Sequence, residues 1–378
     1  MQTIKLMLNA AIVFAMPVIM PLTLSAGSLT PPGAPAPTMN TLAELYEKLT
    51  NTLAEVQMAN QKLGTATQQV AVLQRKVDIL EARLLADGMY LNIGNMALIP
   101  AGEFVMGATT NVGHEYFSGE RPQHTVMVSE FLMDKYEVTS NLWISVLSWA
   151  GNRGYSFGTG WQSKGADHPV VAVDWYDAIA WCNARSQRDG FTPCYTNANG
   201  SIYTNAAINS FTGDCNWLAD GYRLPTEAEW EKAARGGAIN RRFPWNDANI
   251  IQHARANYSA SPNNIFYPYD LGPSAGFHPT YNVGNYPYTS PVGAFPANGY
   301  GLYDMAGNVF EWCWDWHSSP YYTVSPSTDP RGPASGTNRI LRGGSFFSLS
   351  FYARVAYRNM GNPIAENGNT GFRCVRKP

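Results

Sequence analysis

Arg342-Gly343-Gly344-Ser345-Phe346-Phe347-Ser348-Leu349-Ser350-Phe351-Tyr352-Ala353-Arg354 decides how this chain is read. Serines alternate with aromatic side chains there, and the stretch holds neither a thiol nor an imidazole. Two earlier runs belong with it, GYRLPTEAEWEKAARGG (Gly221 to Gly237) and NGYGLYDMAGNVFEWCWDW (Asn298 to Trp316). The first is a helix start built from local chemistry. Pro225 breaks the preceding strand, Thr226 is the N-cap, Glu229 closes a capping box and Glu227 complements the positive helix end. Trp230, Ala233 and Ala234 then face inward. A cap and a dipole account for these carboxylates without acid/base catalysis.

Working outward, only 14% of the 378 residues are charged, against 45% hydrophobic and 13% aromatic, with 34 Gly and 25 Pro. That balance describes a loop-rich fold stitched by aromatics, with enough chain for a sizeable core. A formal net charge of -2 gives no electrostatic footprint for nucleic acid. Residues 1–26 read as a signal peptide: Lys5 precedes an apolar run from Leu6 to Leu24, and Leu24-Ser25-Ala26 supplies a small-residue exit. A retained anchor is the alternative, and either reading places the protein outside the cytoplasm: periplasmic, secreted or at the cell surface.

Residues 27–40 are a Pro-rich linker, carried by LTPPGAPAPT. Residues 41–87 then change pattern completely. Leu42, Leu49, Val56, Leu63, Val70, Val77 and Leu84 recur every seven residues, with Leu45, Thr52, Ala59, Ala66, Leu73 and Leu80 at the offset of three. This a/d seam predicts a coiled-coil stalk that self-associates through residues 42–84, as a dimer or a trimer. One long helix lying on its own domain is the competing reading. A compact domain over 96–378 follows. Met96 to Gly107 predicts two short strands around a Pro-Ala-Gly turn, and Val126 to Tyr136 predicts one alternating strand. Thr139 caps a helix running through Trp149. His168 to Val173 predicts a buried strand, and Asp174 caps a helix from Trp175 to Arg188.

These pieces, IPAGEFVMG, ERPQHTV, HPVVAVDW, RLPTEAEWEKAARGG, NGYGLYDMAGNVFEW, RGGS and GFRC, occur in one order from Met96 to Cys374. In that order they resemble the formylglycine-generating enzyme family, also called sulfatase-modifying factors. The resemblance implies an α+β, irregular, loop-rich domain related to the C-type-lectin-like folds. It implies a Cys182–Cys374 bridge. It also implies two copper-binding cysteines that oxidise a sulfatase cysteine, at positions that here hold Ser348 and Ala353. Copper(I) is soft and selects thiolates, which a hydroxyl and a methyl do not replace, so copper is not expected.

Two structural calcium ions are implied as well. One is expected around Asn298, Gly299 and Gly301, where amide oxygens and glycine-freed carbonyls suit a hard cation. The other is expected at Asn257, the Tyr258 carbonyl and Asn285, with Asn285 standing where an acidic ligand belongs. Turn formation is the bland alternative for these asparagines. Of the remaining cysteines, Cys194 and Cys215 flank an Asn- and Thr-rich segment that a bridge would close locally, and Cys313 reads as a buried small hydrophobe. The six histidines are scattered singly and form no metal-ligating spacing.

A cleft around Ser345, lined by Trp316, Phe346, Phe347, Phe351 and Tyr352, suits a peptide or glycan ligand. The expected protein is thus an exported, non-catalytic binding or structural module on an oligomeric stalk. A sulfatase-directed oxidoreductase and a cell-surface assembly subunit are the alternatives.

Overall fold

The computed structural model describes residues 92–108 and 118–378. The signal peptide, the Pro-rich linker and the heptads from Leu42 to Leu84 lie outside the described residues. Contacts divide the chain into a unit of residues 1–84 and a unit of residues 85–378; the second is the one described below.

Local chemistry starts each of the three α-helices among the described residues. Helix α1 (Ser140–Ala150) is capped by Thr139, whose hydroxyl accepts from the Leu142 N–H, and it buries Trp143, Val146 and Ala150. Helix α2 (Trp175–Arg188) begins where the Asp174 carboxylate accepts from the Asp177 N–H. Helix α3 (Glu227–Arg235) carries the full capping box between Thr226 and Glu229, and it ends at Gly236 with φ 56°. Among the described residues no helix is long and apolar enough to cross a membrane.

Two four-stranded sheets form the frame. The first orders β1 (Asn92–Ile93), β2 (Met96–Ile99), β5 (Phe131–Asp134) and β12 (Val375–Arg376). The second orders β10 (Asn359–Gly361), β9 (Arg339–Arg342), β8 (Phe310–Trp316) and β11 (Thr370–Gly371), with β11 parallel to β8 and the other neighbours antiparallel. Two hairpin-like pairs complete the set: β3 (Gly102–Met106) with β4 (His124–Val128), and β6 (Tyr195–Thr196) with β7 (Asp214–Cys215). Few helices, short strands and long loops make this the α+β, loop-rich domain that the resemblance implies.

Two strand expectations need correction. Val126 to Tyr136 is two strands in different sheets. At the junction Ser129 donates from its N–H and its hydroxyl to Asp329, both at 2.7 Å, and this turns the chain out of one ladder and toward the next. His168 to Val173 joins no sheet. Val171 exchanges backbone bonds with Gln162 alone, and Ala172 takes φ 54°, which breaks the pleat.

The core has an aromatic part and an ionic part. Trp143 stacks on Trp181 at 5.8 Å, and Phe372 meets both rings edge-on. Beside them the sulfurs of Cys182 and Cys374, both buried, lie 3.6 Å apart. The ionic part was not foreseen. Arg185 pairs with Asp134, Arg223 with Glu229, Arg235 and Arg342 with Glu231, Arg354 with Glu120, Arg358 with Glu227 and Arg373 with Glu311, all of them buried. Seven guanidiniums thus meet carboxylates inside the domain, so a share of the few charges of this chain belongs to the frame. Three of those carboxylates, Glu227, Glu229 and Glu231, belong to the first turns of α3.

Candidate functional site

Strand β9 delivers Arg342 into the core and then stops, because Gly343 (φ 92°) and Gly344 (φ 76°) leave the extended region. A side chain at Gly344 would come within 3.0 Å of the Tyr352 carbonyl and the Ala353 backbone, so the chain folds back on itself there only as glycine. The turn at Gly307-Asn308 clamps the result: the Gly307 N–H donates to the Gly343 carbonyl and the Phe346 N–H to the Asn308 carbonyl, each at 2.8 Å.

Within that loop Ser345 is fully buried and Ser348 nearly so. Their hydroxyls lie 2.9 Å apart. The Ser345 N–H donates to the Ser348 hydroxyl at 3.0 Å, and the Asn369 amide donates to the Ser345 hydroxyl at 3.3 Å. The partners of both serines are therefore each other, an amide and backbone groups, with no base to activate an oxygen as a nucleophile. Ala353 is wholly enclosed in a cluster with Phe243, Tyr258 and Ala306. A hydroxyl and a buried methyl do not fit copper(I).

Aromatic side chains cover both flanks of the loop. On one side Phe346 meets Tyr286 at 5.6 Å, and Phe277 bridges Phe347 (5.5 Å) and Tyr288 (5.4 Å). On the other, Phe351 touches Tyr267 and Tyr352. Phe347, 60% exposed, and Tyr286, 48% exposed, bring this aromatic surface to solvent. Among the described residues two cations touch these rings: Lys164, 5.9 Å from the Tyr288 ring, and the buried Arg354, 4.1 Å from that of Phe351. The loop brings together Ser345, Phe346, Phe347, Phe351 and Tyr352 of the expected cleft, and sets beside them Phe277, Tyr286, Tyr288 and Asn369, which the sequence reading did not name. The signal for the tyrosines was the Tyr286-Pro287-Tyr288 repeat. Trp316 does not join them. Its register partner is Arg339, at the far end of the same strand pair from Arg342.

The calcium sets do not fit the ion. The Asn298 amide donates to the Ala233 and Ala234 carbonyls, and its oxygen accepts from the Tyr300 and Leu302 N–H groups, so this side chain closes α3 and makes a turn. The Asn257 amide donates to the Tyr288 carbonyl, the Tyr258 carbonyl faces His253 Nε2 at 3.2 Å, and Asn285 is exposed. Neither set contains a carboxylate. Among the described residues no three His, Cys, Asp or Glu side chains are placed to hold a metal.

Cys215 faces Tyr195 across the β6–β7 register and Cys194 immediately precedes that tyrosine; both thiols are buried and hydrogen-bond to each other. Cys313 is buried in a cluster with Trp230, Ile340 and Val355, as expected of a small hydrophobe.

Comparison with known proteins places this geometry. The sulfatase-modifying factor enzyme 1-like domain matches residues 84–378. The formylglycine-generating enzyme of Streptomyces coelicolor is 33% identical over 301 residues, covering 73% of this chain and 87% of that one. The chaperone protein LppX of Paenibacillus barcinonensis is 34% identical over 269 residues, 66% and 81% of the two chains. Among solved structures, Treponema denticola variable protein 1 superposes with a TM-score of 0.56 at 30% identity, over 77% of this chain and 99% of that one. With its buried RGGS turn, its capped RLPTEAEWE helix and these relatives in agreement, the chain belongs to the sulfatase-modifying factor family.

Proposed function

We propose that this domain is a non-catalytic binding module that presents the aromatic surface around Phe347 and Tyr286 to a peptide or glycan ligand. The observation that carries the reading is the state of the loop. Ser345 and Ser348 are bonded to each other, position 353 is a buried methyl, and the outward-facing groups beside them are aromatic rings. Rings with two rotatable bonds offer large contact area at low entropic cost, which suits recognition. A relative named as a chaperone and one named as a variable protein are consistent with roles other than sulfatase oxidation in this family. Screening the full chain on peptide and glycan arrays, with Phe347→Ala as control, tests the reading. Binding lost in the variant supports it, and no binding anywhere counts against it.

Resemblance to formylglycine-generating enzymes keeps the oxidoreductase reading in play. Incubation with a sulfatase-motif peptide, copper and oxygen should leave the peptide cysteine at its starting mass. An aldehyde product above blank would overturn the non-catalytic reading.

Export, the oligomeric stalk and the disulfides belong to the same proposal. Cys182–Cys374 would close a long loop and stabilise by about 4–5 kcal/mol by chain-entropy reasoning. Peptide mapping under non-reducing conditions should recover that pair and Cys194–Cys215. Light scattering of the full mature chain should give an oligomer that Leu49→Asp with Val77→Asp dissociates.

A further inference from the structure

Arg339 departs from a pattern that seven of the buried arginines set. Seven guanidiniums pair with carboxylates, yet among the described residues none lies within 4 Å of Arg339, which is only 4% exposed. Tryptophans hold it instead. Its guanidinium carbon lies 3.6 Å from the Trp175 ring centre and 3.5 Å from that of Trp316, with Trp314 at 5.1 Å. Nη1 donates to the Trp314 carbonyl, and Nε is buried with no partner. The unused edge is thus Nε with Nη2, the side-on fork that takes a carboxylate by two parallel bonds. The acid whose charge acts most on Arg339 is Asp315, but its Oδ2 accepts from the Glu227 N–H at 2.8 Å, and burial pushes its carboxyl toward the neutral form. Burial without an acid at contact holds the Arg339 guanidinium down to about 9.

The same face carries a second cation. Trp314 meets Trp217 edge-on at 5.7 Å, and Arg331, which is exposed, stacks on Trp217 at 4.2 Å. Trp314, Trp316 and Trp217 are each partly exposed, so the fork of Arg339 lies one layer of side chains below solvent. A charge buried without a counter-ion is costly, and a ligand that brings the counter-ion recovers that cost.

We propose that the face formed by Arg339, Arg331, Trp217, Trp314 and Trp316 is a second binding site, and that it takes a carboxylate of an acidic peptide. A single free fork satisfies both oxygens of a carboxylate; a phosphate would leave a further oxygen without a donor inside the ring walls. The tryptophans supply apolar contact for the peptide on either side. This site stands apart from the surface around Phe347 and does not depend on what that surface binds.

The test titrates the full chain with tetraglutamate, with tetralysine and inorganic phosphate as comparison probes, followed by tryptophan fluorescence and calorimetry. Tetraglutamate should bind saturably, and Arg339→Gln should weaken it by about tenfold or more. Arg331→Ala, at an exposed position, should weaken it by roughly two- to fivefold and flatten its salt dependence. Near-UV circular dichroism checks each fold. If Arg339→Gln does not fold, Arg331→Ala decides the matter alone. Absence of saturable binding by the wild type, binding unchanged in the folded variants, or phosphate bound in preference to tetraglutamate would each overturn the proposal.

Discussion

Arg342 and Arg339 stand at the two ends of one short strand, and they are treated in opposite ways. Arg342 enters the core and meets Glu231, with the Tyr357 carbonyl accepting its second nitrogen. Arg339 enters a cage of tryptophans and meets no acid at contact distance. Both are buried and neither Nε makes a hydrogen bond, but the Arg342 Nε lies 3.8 Å from Glu227 beside the Glu231 pair, while the Arg339 Nε has only rings around it. Counter-ion placement, more than burial, separates an arginine that holds the fold from one that is poised for something outside it.

The largest effect should come from removing the cemented arginine. Arg342→Ala leaves Glu231 with one partner fewer and should cost about 3–5 kcal/mol in urea unfolding. Arg339→Ala removes ring stacking and one hydrogen bond and should cost about 1–2 kcal/mol. Equal losses would erase the distinction.

A smaller effect should appear with pH. Burial raises the Glu231 carboxyl, but Arg235 and Arg342 outweigh it and leave the group below its usual value. The stability it contributes is present above the unfolded carboxylate range and is lost as pH falls through the lowered folded value. Asp174 behaves oppositely: burial, then the neighbouring Asp177, raises it to about 7, and burial raises Asp304 to about 6. Their folded forms hold protons that the unfolded chain has released, so stability declines as pH rises from about 4 toward 7. Over the same range His168, His253, His278 and His317, each lowered by burial, contribute stability that rises with pH. Asp174→Asn should therefore make the urea midpoint climb more steeply from pH 5 to 7.5 than in the wild type, and the wild-type midpoint should collapse at lower pH. In Arg342→Ala that collapse should begin at higher pH. An Asp174→Asn midpoint that follows the wild-type slope from pH 5 to 7.5 contradicts the assignment.

The smallest change tests whether the strand pair's two ends act independently. Phe347→Ala, at an exposed position by the Arg342 end, should alter stability by no more than about 0.5 kcal/mol. It should leave tetraglutamate binding at the Arg339 end untouched. A shift in that affinity would mean that the two surfaces are coupled.

What could be read from the sequence was what local chemistry decides. Thr139, Asp174 and Thr226 announce their helices because each cap bonds within three residues of itself. The break between β4 and β5 was invisible because Asp329, which bends the chain at Ser129, is 200 residues away. The ion pairs were hidden for the same reason: Glu120 reaches Arg354 across 234 positions and Glu231 reaches Arg342 across 111. Trp316 was placed beside Ser345 because both lie in stretches that carry the family resemblance, while strand register puts them at opposite ends. Phe277, Tyr286 and Tyr288 come from an irregular segment whose periodicity says nothing about where it folds back.

Those long-range pairs also bear on how the native state is reached. Glu227 with Arg358, Glu231 with Arg342 and Glu120 with Arg354 each join residues more than a hundred positions apart. Neither member can leave water before its distant mate arrives, so collapse and charge matching must occur together. Such non-local topology slows folding. Added salt, by screening the search between exposed charges, should slow refolding more than it weakens the finished and enclosed pairs.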